Sequence, residues 1–226
     1  MAKTYLVLDL DDTLYDAEAA YGFALSAIGI DPLDTAFIES RQLIKSRLGM
    51  GHVAARNRIL YFKQFLEKKG GYSHSAVLSL METYEEKLCE HISAQWKNLG
   101  REELFLGRLN HIPKVVLTNE NLRTQMLKLR AIDPKGTIFP HVLTSEEMGV
   151  EKPDLSLFAS ALKKLNCSAA DCLMVGDSLE NDISPALKMG ISSALTTEFK
   201  KNIIEQTIPH FVKVLRSLND LEALLV

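Results

Sequence analysis

Cysteine is scarce in this chain. Only Cys89, Cys167 and Cys172 occur among 226 residues. An odd, sparse set makes a poor disulfide framework and fits a reducing cytosol. Four residues separate Cys167 from Cys172, which is not the spacing of the usual redox pair, so all three read as structural. Long apolar runs are missing too: none reaches the ~18 residues of a membrane-spanning helix. Charge of one sign is not in excess. Lys+Arg 26 against Asp+Glu 29 leaves a formal net charge of −3, which excludes a broad nucleic-acid-binding face but not a local basic patch. The chain starts Met1-Ala2-Lys3 and runs through Tyr5–Leu8 into Asp9, Asp11 and Asp12. Acids that close interrupt a signal-peptide core, so a first buried strand is the simpler reading.

What is present is a globular composition. Hydrophobic residues make up 46% and charged ones 24%, which excludes a wholly disordered chain and a coiled-coil rod. Short apolar runs precede helix-like stretches: Tyr5–Leu8, Val115–Leu117, Val142–Leu143, Leu173–Val175 and, more weakly, Ile191–Leu195. Continuous apolar strands alternating with helices of period 3.6 predict an α/β fold with a parallel sheet covered on both faces. Leu122, Met126 and Leu129 predict the helix after the second strand. A short element around Phe211-Val212 and a helix carrying Leu218, Leu221 and Leu225 close the chain.

Residues 16–100 behave differently. Tyr21, Ala24, Leu25 and Ile28 recur at helical spacing, as do Val77, Met81, Tyr84 and Leu88. Gly29, Pro32, Gly49, Gly51, Gly70 and Gly71 punctuate the segment. About 85 residues without a convincing strand exceed an ordinary crossover. The expected organisation is a core of residues 1–15 and 101–226 with a helical domain, 16–100, inserted between its first two strands.

The first strand ends in Asp9-Leu10-Asp11-Asp12-Thr13-Leu14-Tyr15. A strand period of two sends Asp9 and Asp11 to one side. Two adjacent carboxylates repel unless a cation relieves them, and the carboxyl ends of parallel strands are where an open α/β sheet places ligands. A turn rich in Asp is the plainer alternative. Other strand ends supply Thr118-Asn119, Lys152-Pro153-Asp154 and Gly176-Asp177-Ser178-Leu179-Glu180-Asn181-Asp182. Acids, a hydroxyl and one lysine converging at one rim suit metal-assisted phosphoryl transfer.

Taken in order, Asp9-x-Asp11-x-Thr13, Thr118-Asn119, Lys152-Pro153 and Gly176-Asp177-x-x-x-Asn181-Asp182 resemble the haloacid dehalogenase (HAD) superfamily of aspartyl-phosphate phosphatases. The resemblance spans nearly the whole chain and implies a Rossmannoid core with an inserted helical cap. It also implies roles. Asp9 is the expected nucleophile, and Asp11 the general acid and base whose backbone carbonyl also binds Mg2+. Asp177 completes the protein ligands of the metal. Asp182 orients a metal-bound water or Lys152. Thr118 and the backbone after it hold phosphoryl oxygens, Lys152 neutralises the nucleophile and the transferring group, and Thr13 orders the turn. Asp11 is retained here, whereas the dehalogenases that named the superfamily lack it. An alkoxide leaving group gains from a proton and a halide does not, which favours a phosphate ester over a haloacid.

Substrate selection is expected from the cap. His52, Arg56 and Asn57, after the Gly49–Gly51 loop, are candidates to face the leaving group, the alternative being that Arg56 and Arg58 coat a helix. Tyr15 reads either as substrate wall or as cap packing, and Asn119 as substrate contact or turn former. Asp12 reads as a turn residue, Asp154 as an N-cap, and Glu120 and Glu180 as structural. The run Asp9–Tyr15 resembles members acting on nucleoside monophosphates, including pyrimidine nucleotidases; sugar phosphates stay open. The expectation is thus a cytoplasmic, magnesium-dependent phosphomonoester hydrolase of a small phosphorylated substrate, monomeric or a small homo-oligomer, without membrane or polymeric nucleic acid. A phosphotransferase or phosphosugar mutase, and a non-catalytic binding protein on the same fold, are the alternatives.

Overall fold

The computed structural model describes residues 4–49, 51–200 and 208–225. Met1–Lys3 of the N-terminal reading and Met50 of the glycine loop fall outside them. Six parallel strands form one sheet: β1 (Tyr5–Leu8), β2 (Lys114–Thr118), β3 (Val142–Thr144), β4 (Cys172–Gly176), β5 (Ser192–Thr196) and β6 (Lys213–Leu215). Their order is β3-β2-β1-β4-β5-β6. The chain steps outward from β1 one way and from β4 the other, so the order reverses between them. That junction is where an open α/β sheet opens a crevice at its carboxyl ends.

The apolar runs are continuous because the strands are buried on both faces. Leu6, Leu8, Val116, Leu173 and Val175 feed one cluster; Val7, Val115, Leu117, Cys172 and Met174 feed the other. Against the second lies α7 (Leu155–Leu165), through Leu157, Phe158, Ala161 and Leu165. Burial of Phe158 alone contributes about 2–3 kcal/mol. Against the first lie α5 (Leu122–Ile132) and the helices between β1 and β2: α1 (Ala17–Ala27), α2 (Thr35–Leu48), α3 (Arg58–Lys69) and α4 (His74–Asn98). Two shorter helices, α6 (Ser145–Met148) and α8 (Ser184–Lys188), complete the set named here. Each of α1 through α7 starts after a residue whose side chain accepts a first-turn N–H, Asp154 before α7 among them.

Between β1 and β2 the described residues hold helices and no strand. Val77, Met81, Tyr84 and Leu88 are buried along α4 as their spacing predicts. The segment stays tied to the sheet at its neck. Gln95 accepts from the Asp16 N–H at 2.8 Å and donates to its carbonyl at 3.1 Å. Trp96 stacks on Phe105, centroids 5.6 Å apart. Buried Arg101 donates to Leu14 O, Asn219 Oδ1 and Glu198 Oε2.

Two expectations need correction. The last strand lies at Lys213–Leu215, immediately after the pair Phe211-Val212 around which a short element was expected; Phe211 is exposed and Val212 is buried beside Ile183 and Leu195. The closing helix is 3₁₀, Leu218–Leu224. In α5 only one of the three apolar positions read from sequence, Leu129, is buried. Met126 is 46% exposed, and Thr124, Gln125, Lys128, Leu129 and Ile132 face inward.

Candidate active site

Asp9 follows β1 and Asp177 follows β4, which pair in parallel, so both acids stand at the junction where strand order reverses. The Asp9 N–H donates to Val175 O at 2.9 Å. Its carboxylate is held at both oxygens: Lys152 Nζ donates to Oδ1 at 2.6 Å and Thr13 Oγ1 to Oδ2 at 3.1 Å. Lys152 Nζ also donates to Asp182 Oδ1 at 2.6 Å. Burial opposes the Lys152 charge, but Asp182 and Asp9 outweigh it and raise its pKa. Asn119 fixes the lysine's backbone, accepting from its N–H at 2.7 Å and donating to its carbonyl at 2.9 Å. The turn after Asp11 depends on Asp12, which has φ 57° and accepts the Ala17 N–H at 2.9 Å; Asp tolerates that left-handed conformation better than most residues.

Negative charge is in excess here. One oxygen each of Asp9, Asp177 and Asp182 lies within 4.8 Å of the others. Burial first, and the Asp9 charge second, push the Asp177 carboxyl up to about 7 against the pull of Lys200. Burial raises Asp182 to about 6, with Lys152 pulling down and Asp9 adding to the rise. Asp177 Oδ2 forms an ion pair with Lys200 Nζ. An all-oxygen cluster of three buried acids drawn this close together fits a hard divalent cation such as Mg2+.

Asp11 is held differently. Lys128 Nζ donates to both its oxygens, at 2.9 and 2.7 Å, and Tyr15 OH donates at 2.5 Å. Gln125 Nε2 reaches Asp11 Oδ2 at 3.3 Å and Thr118 Oγ1 at 2.7 Å. Since Thr118 Oγ1 accepts from Gln125, its own proton is left for another acceptor. Burial works to raise the Asp11 pKa, but the Lys128 charge and hydrogen bonds bring it down to about 2. Asp11 is a carboxylate in this arrangement.

A cavity of about 320 Å³ brings together Asp9, Asp11, Thr118, Asn119, Lys152, Asp177, Asp182 and Arg56. Thr13 touches Asp9 from beneath the pocket. Three expected contacts stand elsewhere. Tyr15 is fully buried and spends its hydroxyl on Asp11, so it packs under the site and forms no wall. His52 Nδ1 accepts the Ala54 N–H at 3.1 Å, starting the 3₁₀ turn Val53–Arg56. Asn57 Oδ1 accepts the Ile59 N–H at 3.3 Å and caps α3. Nδ1 of His52 and Oδ1 of Asn57 thus serve the local backbone, and neither residue lines this cavity.

The pocket also contains Arg58 and Tyr21, whose sequence positions point to a helix surface and to helix packing. Arg58 does not coat a surface: it pairs with Glu120, donates to Arg56 O at 2.8 Å and lies 4.6 Å over the Tyr21 ring. Tyr21 lines the cavity and accepts from Lys128 Nζ at 2.6 Å. Gln125, Lys128, Leu129 and Ile132 fall on one face at helical spacing. That stripe was the available signal for Lys128, masked because its first half is polar.

A family model described as haloacid dehalogenase-like hydrolase matches residues 4–190. Ribulose-1,5-bisphosphate 5-phosphatase from Halopiger xanaduensis is 29% identical, covering 96% of this chain and 98% of that protein. Glyceraldehyde 3-phosphate phosphatase from Methanocaldococcus jannaschii is 24% identical over 82% of this chain and 81% of its own. The solved structure of the hydrolase YfnB from Bacillus subtilis, bound to magnesium, superposes with TM-score 0.67. It is 24% identical, covering 100% of this chain and 99% of that one.

Proposed function

This chain belongs to the haloacid dehalogenase-like hydrolases, and from that premise we propose that it hydrolyses a small sugar or polyol phosphate through an aspartyl-phosphate on Asp9. It is a phosphomonoester hydrolase; the substrate, the metal and the residue roles are the proposal. One observation carries it: Asp9 stands at the strand-order junction with both oxygens held, Lys152 Nζ at 2.6 Å, and two further acids within 4.8 Å. The two phosphatases above act, by their names, on short phosphorylated carbohydrates. Support for a nucleoside monophosphate is the run Asp9–Tyr15 alone, and Tyr15 does not reach the pocket wall.

Thr13 and Lys152 orient Asp9 so that a carboxylate oxygen attacks phosphorus. The bond to the sugar oxygen breaks as the bond to Asp9 forms. Lys152 and the Thr118 hydroxyl lie where charge develops on the phosphoryl oxygens. Asp9 and Asp177, with the Asp11 carbonyl, would hold Mg2+, which when bound offsets the charge of a phosphate dianion beside three acids. In the second step Asp11 takes a proton from the water that attacks phosphorus, and Asp9 leaves. Asp11 stands ready as that base. To protonate the leaving alkoxide in the first step it needs a proton of its own, and the Lys128 ammonium at 2.7 Å is the adjacent source. The expected cap is residues 16–100, whose Arg56 and Arg58 reach over the pocket. A cytoplasmic setting is supported by three free cysteines, and no helix among the described residues is long and apolar enough to cross a membrane.

The test is phosphate release from sugar phosphates, nucleotides and an aryl phosphate, with Mg2+ and with chelator. Turnover stops on chelation, and Asp9→Asn loses at least ~10³-fold, since nucleophile and charge are removed together. Near-normal turnover in Asn protein verified by mass would overturn the mechanism. Transfer to a sugar hydroxyl in preference to water would mark a mutase instead.

A further inference from the structure

A second and larger cavity, about 780 Å³, adjoins the catalytic pocket and shares Asp12, Tyr21, Arg56 and Arg58 with it. Apart from Asp12, its lining comes from the helical segment between β1 and β2. It is therefore placed to receive whatever is esterified to a phosphate held at Asp9. Its charge is lopsided: Arg41, Lys45, Arg56 and Arg58 face Asp12 and Glu18. Arg56 is paired with Glu151 and Arg58 with Glu120. Arg41 and Lys45, one turn apart on α2, have no ion-pair partner among the described residues.

Like charges one turn apart repel. Burial, and then the charges of Arg41, Arg56 and Arg58, lower the Lys45 pKa. An anion between them relieves that repulsion. Guanidinium also presents a planar fork that fits carboxylate or phosphate in a two-bond contact. Three of the four aromatic rings lining the cavity already lie near a guanidinium: Arg41 is 5.9 Å from the Phe37 centroid and 6.0 Å from that of Tyr61, and Arg58 is 4.6 Å from that of Tyr21.

We infer that this cavity is the leaving-group subsite and that it takes a carbon chain ending in a second anionic group, with Arg41 and Lys45 as the recognition pair. The substrate class is then an acidic sugar phosphate or a bisphosphate, rather than a neutral polyol phosphate or a nucleotide. The inference rests on Asp9 handling the scissile phosphate. Carboxylate and phosphate termini share the chemistry, and matched esters separate them.

The experiment uses the full chain with Mg2+ and an aryl phosphate as the common reference. One pair compares 3-phosphoglycerate with glycerol 3-phosphate; the other compares ribulose 1,5-bisphosphate with ribulose 5-phosphate. In at least one pair the more acidic ester is favoured at least ~10-fold in kcat/KM, mainly through KM, the size expected of charge-assisted hydrogen bonds. Lys45→Gln and Arg41→Gln each shrink that ratio, and Lys45→Arg keeps more of it than Lys45→Gln. A ratio does not depend on how much of a variant folds, because both esters meet the same active fraction. Ratios near one in both pairs, or ratios unmoved by both Gln variants, overturn the subsite while aryl phosphate turnover leaves the phosphatase standing. Absence of turnover of all five esters in the unaltered chain defeats the phosphatase reading, and the subsite falls with it.

Discussion

Lys128 shows how much one buried side chain decides. It is fully buried, yet its ammonium meets both Asp11 oxygens and the Tyr21 hydroxyl. An ammonium in that position is tolerable only because a carboxylate answers it, and the carboxylate is kept ionised by the same contact. Removing one partner of a buried pair is costly, because the other charge stays behind. Lys128→Met should destabilise the fold by about 3 kcal/mol, a fall in melting temperature of about 6–12 °C, measured by thermal unfolding. An unchanged melting temperature would mean that the pair contributes nothing. The sequence pattern hid this residue. Apolar periodicity pointed to Leu122, Met126 and Leu129, whereas the site requires the polar Gln125 and Lys128 on the inner face of α5. Asp9, Thr118 and Asp177 were legible as candidates because each sits where an apolar run stops, whereas Asp11 and Lys152 were legible only through the motifs Asp9-x-Asp11 and Lys152-Pro153. Arg58 was not, since a basic residue beginning a helix looks the same whether it turns outward to water or inward to Glu120.

Among the elements, β4 and the turn after it illustrate how backbone approach builds the acid cluster. Gly176 ends the strand, and Asp182 folds back directly over it. A Cβ placed on Gly176 would lie 2.5 Å from Cβ, Cγ and Oδ2 of Asp182. That separation is far inside contact distance, so only glycine lets the Asp182 carboxylate reach Lys152 while accepting the Ser178 N–H at 3.1 Å. Gly176→Ala should cost about 1–3 kcal/mol through overpacking. It should also lower kcat at least ~10-fold, since small misplacements of reacting groups carry large penalties. Steady-state kinetics beside a denaturant melt test both, and full activity would contradict the tight approach. The central strands were readable because burial on two faces leaves only apolar residues. The apolar pair Phe211-Val212 did not mark edge strand β6, because Phe211 is left exposed while Lys213–Leu215 pairs with β5.

Taken whole, the proposed function divides labour between a sheet that would fix the reacting phosphate and helices that would surround the rest of the substrate. The two parts share one apolar cluster, which runs from Leu6 and Leu8 of β1 to Phe62 of α3 and Trp96 of α4. Arg101 ties the neck to the C-terminal segment through Glu198 and Asn219. That long-range joint had no counterpart in local sequence pattern, because its partners lie about a hundred residues away. The mechanism proposed for the assembly displaces twice at one phosphorus atom, first by Asp9 and then by water. The stereochemical course at phosphorus tests this most directly, using a phosphate ester made chiral with oxygen isotopes and hydrolysed in isotopic water. Two in-line displacements predict retention of configuration, whether or not the intermediate accumulates. Inversion would mean that water attacks the ester directly, and it would contradict Asp9 as nucleophile.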